Sequence, residues 1–157
     1  MSTTESGVSS IVGVGTSPTW LLDDVALYLE DTVGLVGGND LFASLMPDDL
    51  EGIVTGIFEY SGGAPTYVMG EDQSLPAWSN PSLQVVVRAD PGQGQGYEAA
   101  VVLINTITQS LERVVNQYIN GTLYYRIARS QDPFLMDRDA RRRVYMVCNF
   151  TVMRKPN

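Results

Sequence analysis

Three patterns predict an α+β fold, a two-layer sandwich in which a mixed, mostly antiparallel sheet is covered on one face by two main helices. Leu83, Val85 and Val87 alternate with Gln84, Val86 and Arg88 in a run rich in β-branched residues, the signature of a central strand. Tyr97, Ala100, Val101, Ile104, Ile107, Leu111, Val114, Val115 and Tyr118 recur in steps of mostly three and four. That spacing is one face of a helix of about six turns. Runs of strands cluster before and after this helix instead of alternating with helices, which separates the chain from the parallel α/β folds.

Taken in order, Met1 to Ser17 is small and polar without a sustained period and reads as a flexible N-terminal arm, leaving 18–157 as a single domain. Pro18 opens a helical pattern with Ser17 as its cap and Leu21, Leu22, Val25, Leu29 and Val33 as its apolar stripe. Gly34 to Asp40 ends that helix, and Leu41 to Met46 is a short apolar run, extended or strand. Asp48, Asp49 and Glu51 sit in an acidic turn before a strand from Ile53 to Tyr60. Gly70 to Pro81 is too proline-rich for helix or central strand and reads as a structured loop carrying Trp78. After the long helix, Asn120-Gly121 reads as its stop. Strands follow at Thr122 to Arg129 and Arg142 to Met153, with Phe134-Leu135-Met136 as a short extended piece before the charged turn from Asp137 to Arg141.

Composition narrows the function classes. The chain of 157 residues contains no histidine and one cysteine, which removes the commonest general base and makes a zinc site untenable. Cys148 lies in a strand pattern and reads as a small packing residue. No apolar run approaches the ~20 residues of a membrane span and the N-terminus lacks a basic signal segment, so a soluble protein made inside the cell is expected. The net charge of −8 is unevenly distributed: residues 1–87 hold twelve acids and no base, and the remainder holds ten bases against six acids. Such polarity suits head-to-tail association of copies, whereas overall acidity opposes tight binding of nucleic acid by Arg141-Arg142-Arg143 and Tyr145.

Motifs that resemble chemical sites fail on spacing. Gly13-Val14-Gly15-Thr16 has neither a preceding strand nor a following lysine. Gly92-Gln93-Gly94-Gln95-Gly96 lies between strand and helix, but Tyr97 stands where a dinucleotide turn needs its last glycine. Asp132, Asp137 and Asp139 interleave with arginines and read as ion pairs in a turn, not as a metal cluster. No catalytic, cofactor-binding or metal-binding residue is therefore assigned.

The assembled pattern resembles the tail terminator or minor capsid family of tailed bacteriophages. The residues that carry the resemblance are Leu75-Pro76-Ala77-Trp78, Asn80 to Arg88, the helix ending near Leu111 to Val114, Ile119 to Thr122 with Tyr124, Gln131 to Leu135, Asp137 to Asp139 and Asn149-Phe150, within roughly Leu21 to Pro156. It implies a structural virion protein of the neck, not an enzyme. Copies would form a ring, expected to be a hexamer, that caps the tail tube, joins it to the head connector and leaves a channel for DNA. No cofactor and no membrane are implied. A head-closure or connector ring is the neighbouring alternative, and a small nucleotide-binding enzyme is the alternative from another class.

Within that role Trp78, Arg138, Arg141, Arg142 and Arg143 are candidates for subunit or partner contacts. Asp48, Asp49, Glu51, Glu71 and Asp72 are candidates for the channel wall, because a passing polyanion is repelled by carboxylates and retained by arginines.

Overall fold

The computed structural model describes residues 19–67, 77–91 and 96–156. Helix α1 (Leu21–Thr32) is followed by strands β1 (Leu41–Ala43), β2 (Val54–Thr66) and β3 (Trp78–Ala89), helix α2 (Gly96–Glu112), and strands β4 (Val115–Ile119), β5 (Thr122–Arg129), β6 (Phe134–Arg138) and β7 (Val144–Arg154). The strands form one sheet in the order β1-β2-β3-β7-β5-β4, with β6 also on β7. Among the described strands only β1 and β2 pair in parallel, so the sheet is mixed and mostly antiparallel, as expected.

One face of the sheet carries the core. Ile57, Val85 and Cys148 stand side by side in register, as do Val87 and Met146, and all are buried beneath Leu21, Val25, Leu29, Ile104, Ile107 and Leu111 of the helices. Fully burying each of these aliphatic side chains contributes about 1.5–3 kcal/mol. α1 touches β1 and β2 near one edge of the sheet and β4 at the other, so the sheet curls around the helix. α1 ends where Gly34, at φ +85°, donates its N–H to the Leu29 carbonyl. The expected cap and first residue of this helix, Ser17 and Pro18, lie outside the described residues, as does the N-terminal arm.

Two expectations are corrected. α2 ends at Glu112, not Tyr118: Arg113 and Val114 donate to the carbonyls of Ser110 and Leu111, closing a tighter last turn, and Val115–Ile119 is a strand. Asn120-Gly121 is the two-residue hairpin between β4 and β5, both residues having positive φ (52° and 85°), as a type I′ turn requires. The segment before Leu83 is also more extended than expected. Trp78 to Ser82 belongs to β3, and Pro81 is accommodated beside a register shift between Tyr60 and Gly63, where a regular ladder is already interrupted. Gly62 has no room there for a side chain, since a Cβ would lie 2.3 Å from the Asn80 carbonyl oxygen.

Candidate functional site

Among the described residues the second face of the sheet carries no helix; at one end it is covered by the acidic connection between β1 and β2. Gly56 faces Met46 so closely that a Cβ would meet the Met46 Cγ at 2.4 Å. Arg88, 2% exposed, extends from β3 and donates Nη2 to the carbonyls of Pro47 (2.7 Å) and Leu50 (3.3 Å). Asp90 accepts the Gly52 N–H at 2.5 Å. The connection is thus fastened along its length by groups from the sheet.

Its strongest fastening comes from the turn between β6 and β7. Asp139 Oδ1 accepts the N–H groups of Arg141 and Arg143, each at 3.0 Å, and so shapes the turn. Its Oδ2 accepts Arg143 Nε (2.7 Å) and the Tyr145 hydroxyl (2.9 Å). Arg143 then reaches Asp48, donating Nη1 to its carbonyl (2.9 Å) and Nη2 to its carboxylate (2.5 Å), while Arg141 Nη1 donates to the same carbonyl at 2.9 Å. The Arg143 guanidinium, through its hydrogen bonds and charge, holds the carboxyls of Asp48 and Asp139 below the usual range, and those hydrogen bonds raise Arg143 in turn.

This arrangement brings together residues assigned to opposite roles. Asp48 faces Arg143 within one protomer, and Arg143 is only 2% exposed, so its guanidinium is committed to the fold. Asp49 and Glu51 remain exposed beside it, as do Arg138, Arg141 and Arg142. Glu71 and Asp72 lie outside the described residues, as do Gly92 to Gln95 of the glycine-rich turn. Trp78 is half-buried on the helix-free face, its ring 4.7 Å from that of Tyr125 and beneath Lys155 Nζ at 5.3 Å. The ion pairs Arg129–Asp132 and Arg143–Asp139 occupy two of the three carboxylates Asp132, Asp137 and Asp139.

Asp24, read with Asp23, Glu30 and Asp31 as part of the solvent face of α1, is instead the centre of a buried polar node at the opposite end of β7. Asp24, fully buried, accepts the Tyr124 hydroxyl (2.5 Å), Asn120 Nδ2 (3.0 Å), Thr19 Oγ1 (2.8 Å) and Arg154 Nη1 (3.3 Å). Burial, reinforced by the hydrogen bond to Asp24, pushes the Tyr124 phenol well above its ordinary value. The only local signal was an acidic residue on the apolar side of the α1 pattern, between Leu21 and Val25, which helical spacing places toward the core.

Two further surfaces stand out. All five residues of β6 are exposed, and Phe134, Leu135 and Met136 present 41–52% of their surface on a strand whose pairing is with β7. A groove of about 590 Å³ runs between α2 and the segment from Leu35 to Ile53, floored by Leu35, Ile53, Ala99, Val102 and Leu103, with Asp40 and Glu98 at its margin. No helix among the described residues is long and apolar enough to cross a membrane.

The family model described as bacteriophage tail terminator protein matches residues 28–155. Among solved structures, a chain of a particle described as the virion of a native gene transfer agent is similar over 94% of this chain and 100% of its own, at 12% identity and a TM-score of 0.58. A second solved chain, 13% identical, covers 86% of this chain and 97% of its own at a TM-score of 0.45. No curated protein matches the chain in sequence.

Proposed function

Since the chain belongs to the bacteriophage tail terminator protein family and is a structural tail protein, we propose that it forms a closed ring, a hexamer, on the head-proximal end of the tail tube. There it stops growth of the tube, presents the surface to which the head connector attaches, and leaves a channel for the genome, with no catalytic step and no cofactor. The ring is assembled in the host cytoplasm and retained in the virion neck. The family match over residues 28–155 carries this reading. The similarity in fold to a chain of a gene transfer agent virion supports it.

Asp49 and Glu51, exposed on the fastened connection, are assigned to the channel wall with Asp48, Glu71 and Asp72. Duplex DNA carries a charge about every 1.7 Å, so a wall of arginines would retain it contact by contact, whereas carboxylates let it pass. Arg138, Arg141, Arg142 and Trp78 are assigned to contacts between copies or with partners. Arg143 supports them from within the protomer by holding the turn that carries Arg141 and Arg142.

Cross-linking in assembled particles tests the role. A terminator yields cross-links to the tail-tube protein and to the head connector. Cross-links confined to head and connector proteins would instead identify a head-closure ring.

A further inference from the structure

We infer that the exposed strand β6 of one copy docks into the groove beside α2 of the next, its apolar segment Phe134-Leu135-Met136 lying along the apolar floor and Arg138 meeting Glu98 at its margin. This rests on the reading of the protein as a ring of copies and names the surfaces that close it. An exposed apolar edge strand is a hazard for a free protein and is normally covered, twisted away or charged. Here three successive apolar residues are exposed, with Arg138, Arg141 and Arg142 close behind them. Asp137, the one acid within the strand, turns its Oδ1 back on the Arg138 N–H at 2.7 Å.

The groove complements the strand in apolar character and in charge. Its floor is apolar, Val102 being 66% exposed there, and Glu98 and Asp40 stand at its margin without an ion pair among the described residues. Within one protomer the two surfaces lie on different flanks of α2. Tyr97 shares a cleft with Arg138 and Arg142 on one flank of α2, whereas Ala99, Val102 and Thr106 line the groove on the other. At about 100° per residue these sets point to opposite sides of the helix. Donor and acceptor on opposite flanks therefore produce a head-to-tail contact, which closes into a ring if the rotation allows.

The test uses full-length protein in assembled tails. Replacing Leu135 by a photo-reactive diazirine amino acid should give cross-links to residues 98–106 of another copy. Cross-links from position 135 only to the tube protein, or to another region of a neighbouring copy, would overturn the docking. In parallel, Glu98→Arg and Arg138→Glu, both at exposed positions, should each lower incorporation into tails, by roughly tenfold for a juxtaposed like charge, and the double exchange should recover it. Single variants that incorporate like wild type while wild-type rings form would sink the docking and leave the ring reading intact. If no position of the wild-type protein cross-links to a second copy in finished tails, the ring reading fails as well.

Discussion

Asp139 shapes a turn with one carboxylate oxygen and holds a buried arginine with the other, so its ionisation is coupled to the fold. Its carboxyl and that of Asp48 are depressed by Arg143, which means the folded state binds their protons less readily than the unfolded chain. The resulting stability is fully present above the unfolded value, about 3.9, and is lost as pH falls toward the folded values. Thermal melting of Asp139→Asn should therefore lose less between neutral pH and pH 3 than wild type does. A parallel pair of melting curves would contradict this. Asp24→Ala leaves Arg154 buried without its carboxylate and should destabilise by about 3–5 kcal/mol in chemical denaturation. Arg142, at φ +64°, stores about 1–2 kcal/mol of left-handed strain. Arg142→Gly relieves it against about 0.4–1 kcal/mol of added unfolded-state entropy, so the melting temperature should hold or rise. Reversing Arg141, Arg142 and Arg143 together would not probe an interface cleanly, because Arg143 belongs to the protomer's own ion-pair cluster. Its side-chain bonds to both Asp139 and the distant Asp48 carboxylate set it apart from its two neighbours.

The elements that could be read from sequence are those whose period matches their burial. β3 and β7 alternate, and the residues of one parity, from Leu83 to Val87 and from Val144 to Val152, are buried on the core side. Residues 96–112 of α2 follow the same logic. The end of α2 was not legible, because Leu111, Val114, Val115 and Tyr118 satisfy helical spacing by coincidence and Asn-Gly serves equally as a helix stop and a hairpin turn. Tertiary pairing decides between them: the Val114 carbonyl accepts the Ile127 N–H, and Tyr118, 70% exposed, packs on no core. Gly121→Ala should accordingly cost about 1–2 kcal/mol through its positive φ, read as a lower denaturation midpoint. Ile107→Ala, emptying the space between helix and sheet, should cost about 2–5 kcal/mol. The clamped connection between β1 and β2 was legible only as an acidic turn, since its partners Arg88 and Arg143 lie far along the chain.

At the scale of the whole molecule, folding neutralises part of the charge polarity and leaves the rest on the surface. Asp24 and Asp48 find Arg154 and Arg143 inside the protomer, while Asp49, Glu51 and Glu98 on one side of the ledger and Arg138, Arg141 and Arg142 on the other stay exposed. Contacts between copies built on such charges weaken as salt shortens their range, to about 3 Å at 1 M. Isolated protein should thus be monomeric or weakly associated at high salt, which sedimentation would detect, and gain its ring only where the tube end gathers copies. A density map of the neck of the intact particle decides whether the ring exists. Copies of this chain should then appear in a closed ring seated on the last layer of the tail tube, with Asp49 and Glu51 toward the bore. A map placing the chain away from the tube, or as a single copy, would contradict the account, and a bore lined by Arg126, Arg129 or Arg141 would invert the assignment of its charged surfaces.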